Sequence, residues 1–240
     1  MVRSVFSWFR KKKPPPETSP GGSVIRRYEA PSGPRIGFTE EAAKFREARE
    51  SVYGRHFGEA TKVWHELIPL IPHIDVYTYA RRYQDRDFYT LITGGMSDLE
   101  MTLPAEAKGK GAARRVELIF YCWEAKEEYL KTINGLAHFP HEYKTWIGPG
   151  HTVPNGNPPS PLWGSSVLDT VLFLHTILTR DAALSDELKL AGEPVGLLWV
   201  VPLTTPECNL KLEKGSNAIL DLLGQHHHPF VFDPDRKSYV

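Results

Sequence analysis

"FYTLITGGMSDLEMTLP", Phe88 to Pro104, runs apolar and β-branched into two glycines and then turns polar at Ser97 and Asp98. Its reading decides the fold, because a nucleophile elbow here would set a catalytic serine at a strand-to-helix junction, whereas a plain turn would continue a sheet. The elbow needs G-x-S-x-G and a helix behind it. Gly95-Met96-Ser97-Asp98 is instead followed by Leu99, and Pro104 with "KGKG" at Lys108 to Gly111 disfavours a helix. A structural turn fits the residues better: Gly94 and Gly95 supply positive φ, and Asp98 is expected to cap the backbone of the turn.

Working outward, the neighbouring segments read as strands: "KVWHELI" from Lys62, "HIDVYTYA" from His73, "DFYTLITG" from Asp87 and "RRVELIFYC" from Arg114. Each is rich in β-branched or aromatic residues between Pro, Gly or charge clusters, and four in succession predict antiparallel pairing. Alternation places His73, Asp75, Tyr77 and Tyr79 on one face and Ile74, Val76, Thr78 and Ala80 on the other. Before them, "EEAAKFREARESVY" predicts a helix capped by Thr39 and ended by Gly54, with Ala42, Phe45, Ala48 and Val52 on one face. After them a helix is expected over 124–137, its apolar face formed by Tyr129, Leu130, Ile133 and Leu136. A long turn-rich segment follows from Pro140 to Ser166. Two buried strands, "DTVLFLHTIL" and "PVGLLWVVPLT", and a helix over 206–223 complete the domain. The expected fold is α+β: a mostly antiparallel mixed sheet with helices packed on it, in a single domain over 36–240. Residues 1–35 read as a disordered basic and Pro-rich tail and linker.

The 240 residues carry 29 Lys and Arg against 29 Asp and Glu. Five of those bases and no acid fall in the first thirteen residues, which leaves 24 bases against 29 acids in the remainder. A body near −5 repels a phosphate backbone, so no nucleic-acid partner is expected. No apolar run suits a membrane span or a signal peptide, and no stable membrane insertion is expected. Phe6, Trp8 and Phe9 beside four consecutive bases could rest on an anionic membrane surface, or the tail could simply be solvated. Cys122 and Cys208, far apart in sequence, suit a reducing compartment, and a cytoplasmic location is expected.

Three patterns are candidates for chemistry. His138 and His141 in "HFPHE", with Glu142 and His151 nearby, resemble metal ligands, but Pro140 and the i, i+3 spacing break the H-E-x-x-H pattern and leave only a loop-built site of three histidines. Ser97 would need a histidine base that the sequence does not single out. Asp75 and Glu117 are acids inside strand patterns, with pairing to Arg114 or Arg115 as the plain structural explanation. No phosphate-cradling or dinucleotide motif is present, and no cofactor or metal is expected.

Taken in order, "HIDVYTY", "FYTLITGGMSDLEM", "RRVELIFYC", "GLAHFPHEYKTWIGPGHTV", "VGLLWVVPLT" and "LKLEKGSNAILDLL" resemble the suppressor-of-fused family from about Val52 to the C-terminus. The resemblance implies an α+β domain that binds protein without catalysis. In animal relatives a second domain joins it, and the pair clamps a segment of a zinc-finger transcription factor as an added strand. This chain is expected to lack that second domain and to belong with the single-domain bacterial relatives, some of which resemble immunity proteins that neutralise toxins. Tyr89, Met96, Asp98 and Met101, with Asp75 and Tyr77, are the expected protein-binding residues, an aromatic, adaptable thioethers and a fixed acid along one edge, with packing and capping of the turn as the alternative role of the first four. The alternatives are a hydrolase using Ser97 or the His138, His141 and His151 loop, and a membrane-surface adaptor using the basic tail.

Overall fold

A computed structural model describes residues 17–240 apart from 30, 32, 34, 38, 110 and 165; the basic tail from Arg3 to Lys13 lies outside the described residues. In chain order the elements are strands β1 (Glu17–Thr18) and β2 (Val24–Ile25), helix α1 (Ala42–Phe57), strands β3 (Lys62–Trp64), β4 (Asp75–Tyr83), β5 (Arg86–Gly94) and β6 (Arg115–Cys122), and helix α2 (Glu127–Glu142). Then come β7 (Thr152–Pro154), β8 (Leu168–His175), the short helices α3 (Thr179–Ala182) and α4 (Leu184–Glu187), β9 (Lys189–Leu190), β10 (Glu193–Thr204), and helices α5 (Thr205–Lys214) and α6 (Ser216–Gln225).

The main sheet runs β3-β4-β5-β6-β10-β8-β7, with β9 added at the start of β10. β6 and β10 pair in parallel, while the other pairs are antiparallel, so the α+β reading with a mostly antiparallel mixed sheet holds. The strands alternate as their sequences predict. Ile74, Val76, Leu91, Leu118 and Phe120 pack under α2 through Tyr129, Leu130, Ile133 and Ala137. Tyr77, Tyr79, Ile92, Ile119 and Tyr121 face the opposite core with Phe45 and Tyr53 of α1 and Ile219 of α6. The sheet therefore lies between two helical layers and buries apolar surface on both faces.

Several boundaries differ from the sequence expectation. α1 continues through Gly54 to Phe57 and stops at Gly58, whose φ of 85° suits glycine; Thr39 makes no side-chain cap. α2 continues through Pro140 to Glu142, because a proline in the final turn forfeits one intrahelical bond and no more. The segment after it is not structureless, since β7 pairs with β8. The last helix is two, broken at Gly215 with φ of 92°. Part of the expected linker is structured: β1 and β2 form a hairpin, and the Gly21 N–H donates to Leu212 O at 2.7 Å.

α5 opens with a capping box in which Thr204 accepts from the Glu207 N–H and Glu207 accepts from the Thr204 N–H at 2.8 Å. Thr204→Ala is expected to lower stability by about 1 kcal/mol, seen as a thermal midpoint about 2–4 °C lower. An unchanged midpoint would show that Glu207, which Arg236 also holds at 2.6 Å, orders this terminus without the threonine.

Candidate functional site

The turn after β5 is built around one carboxylate. Gly95 has φ of 122°, and a Cβ there would meet His73 O at 1.9 Å, so glycine is required. Met96–Asp98 then form one 3₁₀ turn. The buried donors around it point at Glu117, reaching across from β6: Oε1 accepts from Gly95 N–H at 3.0 Å, Ser97 N–H at 3.1 Å and Ser97 Oγ at 2.5 Å, while Oε2 accepts from Thr93 Oγ1 at 2.6 Å. Glu117 is 0% exposed. It therefore performs the capping role expected of Asp98.

Asp98 instead forms a buried pair with Arg49 of α1, whose Nε also lies 3.9 Å from Glu117. Burial pushes the Asp98 carboxyl up to about 6, against the pull of Arg49. Arg115 closes the far side by donating to Ser97 O at 2.7 Å and Asp98 O at 2.9 Å. His141 of α2 completes the shell with Nε2 donating to Met96 O at 2.9 Å, and burial lowers its pKa to about 4. Two helices and β6 thus converge on the four residues from Gly95 to Asp98. Charge-assisted bonds of this density fix a turn in one conformation.

A second polar cluster lies beside it. Glu66 accepts from Asn134 Nδ2 at 3.0 Å and from the Ile74 N–H at 3.2 Å, and it contacts His138. His73 lies 3.5 Å from Glu66 and 3.3 Å from Asp75, and His65 is 3.1 Å from Asp75. At the sheet margin, β7 has β8 as its one strand neighbour among the described residues. A groove of about 250 Å³ runs beside it, lined by Leu136 and Phe139 of α2, Val153 of β7 and Leu162.

A sequence profile of the Suppressor of fused protein (SUFU) family matches residues 71–237. The chain belongs to the suppressor of fused family. No curated protein sequence matches it. Among solved structures, this suppressor of fused domain is similar to a SUFU homolog from Neisseria gonorrhoeae, with TM-score 0.60 and 15% identity over 82% of this chain and 98% of that one. It is also similar to a chain of the Sufu–Fu complex, with TM-score 0.55 and 12% identity over 86% and 93% of the two chains. Drosophila Suppressor of Fused gives TM-score 0.53 and 12% identity over 90% of this chain, which spans 54% of that protein. At these identities the likeness concerns the fold.

The residues nominated from the suppressor of fused sequence pattern do not share one open surface. Met96 and Met101 are buried in the core under α2, and Asp98 is held by Arg49. Asp75 sits in the histidine cluster, and Tyr77 donates its hydroxyl to Glu50 at 2.8 Å. Tyr89 is half-buried against the core under α2. Ser97 is 0% exposed and gives its proton to Glu117, which contradicts an accessible nucleophile. The three nominated histidines go to separate partners: His138 to Glu66, His141 to Met96 O, and His151 to the Trp146 ring at 4.3 Å between centroids. Among the described residues no group of three His, Cys, Asp or Glu could hold a metal ion. Glu117 pairs with neither Arg114 nor Arg115: its oxygens accept from Thr93, Gly95 and Ser97, and the cation beside it is Arg49. Arg49 was missed, although its place on α1 was a signal: it follows Phe45 by four residues and precedes Val52 by three, on the apolar face.

Proposed function

We propose that this suppressor of fused domain is a non-catalytic protein-binding module that receives an extended segment of its partner at the β7 margin. The observation that carries this reading is that, among the described residues, β7 pairs with a strand on one side only, next to an apolar groove formed with α2. An added strand would find backbone bonds along β7 and side-chain pockets beside it. The occurrence of a similar fold in the Sufu–Fu complex supports a role in protein association. In this reading Met96, Asp98, Met101, Asp75 and Tyr77 act by fixing the turn and β4, while half-buried Tyr89 is the nominated residue with open surface.

The finer reading is a cytoplasmic immunity protein that covers a basic toxin. It draws on the excess of acids over bases outside the first thirteen residues. Steering of that kind makes association fast and salt-sensitive. Among the described residues no helix is long and apolar enough to cross a membrane.

The test is capture of a stoichiometric protein from source cells at low salt, identified by mass spectrometry. Leu162→Glu, which puts a charge in the groove, is expected to weaken that partner's binding at least about tenfold, or about 1.4 kcal/mol, with thermal unfolding unchanged. Full-strength binding by the variant would remove the β7 margin from the interface. An association rate flat across ionic strength would remove the electrostatic immunity version.

A further inference from the structure

Lys211 of α5 is 3% exposed, and its ammonium donates to the Ser23 hydroxyl at 3.1 Å. Buried lysines ordinarily have a carboxylate to offset the loss of water. Here burial pulls the pKa of Lys211 down, against the opposing charge of Cys208, and among the described residues its ammonium forms no ion pair, with Glu207 one turn back on α5 turned to Arg236 instead. His151 is held at about 4 by burial first, and then by the charges of Lys211 and Arg26. The site has the electrostatics of a carboxylate receptor and a neutral hydroxyl in the receiving position.

The hydroxyl belongs to a strap. The β1–β2 hairpin lies across the α5–α6 junction so closely that a Cβ on Gly21 would come within 2.3 Å of Gly215 N and 2.8 Å of Lys211 O. Beyond the hairpin the strap crosses to α2. Tyr28 there bonds Thr145 Oγ1 at 2.7 Å and rests against Phe139 and Tyr143, with ring centroids 5.5 and 5.3 Å away. Each hairpin strand is two residues long, far below what holds a hairpin together alone, so docking on α5 keeps it in place. The strap also lies outside the family match at residues 71–237.

We infer that Glu17–Tyr28 is a displaceable cover over a carboxylate-recognition site anchored by Lys211, and that an extended acidic segment of the partner replaces it. This deepens the protein-binding reading and rests on it. Ser23 marks where the carboxylate goes, and the strap shows that an extended chain fits the path from α5 to α2. A single ammonium with an adjacent hydroxyl position suits a side-chain carboxylate better than a phosphate, which calls for several donors.

The test uses the full chain and two labelled peptides spanning residues 17–28, one native and one with Ser23→Asp, titrated to millimolar concentration because the tethered strap competes at that level. The aspartate peptide is expected to bind at least about tenfold tighter, in line with a charge-assisted bond. Its binding should release the hydrogen-exchange protection of Gly21, and Lys211→Met should abolish its advantage. Equal binding of the two peptides, binding of neither, or an advantage that survives Lys211→Met would each overturn the proposal. The full chain carrying Ser23→Asp gives a second readout that leaves Lys211 intact: exchange at Gly21 should slow about tenfold, and unchanged exchange also overturns the proposal. Partner capture is scored separately, so a failed cover and a failed protein-binding role give different results.

Discussion

Glu117→Ala is expected to unfold the chain or to lower its stability by at least about 4 kcal/mol, the range for removing one member of a buried charge network. The alanine leaves the Gly95 and Ser97 amides and the Thr93 and Ser97 hydroxyls without their acceptor in a site closed to water. Each buried unsatisfied donor costs about 1–3 kcal/mol. Arg49 loses one of its two acids at the same time. Glu117→Gln separates shape from charge: it keeps the side-chain length and one acceptor oxygen, and should lose about half as much. Asp87→Ala serves as the control, because Asp87 pairs with Arg82 at the exposed end of the β4–β5 hairpin, where ion pairs contribute about 0–1 kcal/mol. Urea unfolding at pH 7 measures all three. A loss below about 1 kcal/mol for Glu117→Ala would show that the turn is held by packing around Met96 and that the carboxylate is incidental.

The same network explains which parts of the fold the sequence disclosed. β4, β5 and β6 were legible because their pattern is local: alternate residues go to opposite cores, and the eye needs only a window of eight residues to see it. The turn was legible for the same reason, since two glycines before a polar pair announce a change of direction. The capping group was not. Glu117 meets the turn from about twenty residues away in sequence, and Asp98, the local candidate, was drawn off by Arg49 from α1. Composition misled at the strap, where Pro, Gly and Ser between 14 and 34 predicted a linker. The hairpin has no core of its own and forms against α5, nearly two hundred residues onward, a partner invisible to any local rule. The histidines show the converse case. His138 and His141 are near in sequence, yet α2 continues through Pro140 and directs one to Glu66 and the other to Met96.

Three buried histidines, His141, His151 and His228, set the second large effect, a loss of stability between pH 6.5 and 4. Burial lowers His141, His151 and His228 from 6.5 to about 4 in the fold. For a histidine with a depressed folded pKa, the unfolded chain takes the proton first, so stability is full above 6.5 and falls as the pH drops towards 4. Each residue contributes about 3 kcal/mol by linkage at 1.36 kcal/mol per pKa unit, reduced where water reaches the part-exposed rings. Asp98 acts in the other direction. Its folded pKa, raised from 3.8 to about 6, stabilises the fold as the pH falls through 6 and offsets about one histidine. Burial is the largest single influence on Glu66 and Glu207 and raises both, but their bonds together, from His138, Asn134 and Ile74 and from Arg236, Thr204 and Tyr239, leave both below the usual value, so their stabilisation is lost only below about pH 4.5. Two of the three histidine contributions remain, several kcal/mol in a domain whose total stability is about 5–15 kcal/mol. Tryptophan fluorescence against urea at successive pH values should therefore show stability falling steadily from pH 6.5 to 4. His151→Phe should flatten that slope by about one proton, and a slope unchanged by the substitution would show that the ring is hydrated and titrates as it does in the unfolded chain. Asp98→Asn should steepen the fall, because it removes the one group in the network that gains from acid.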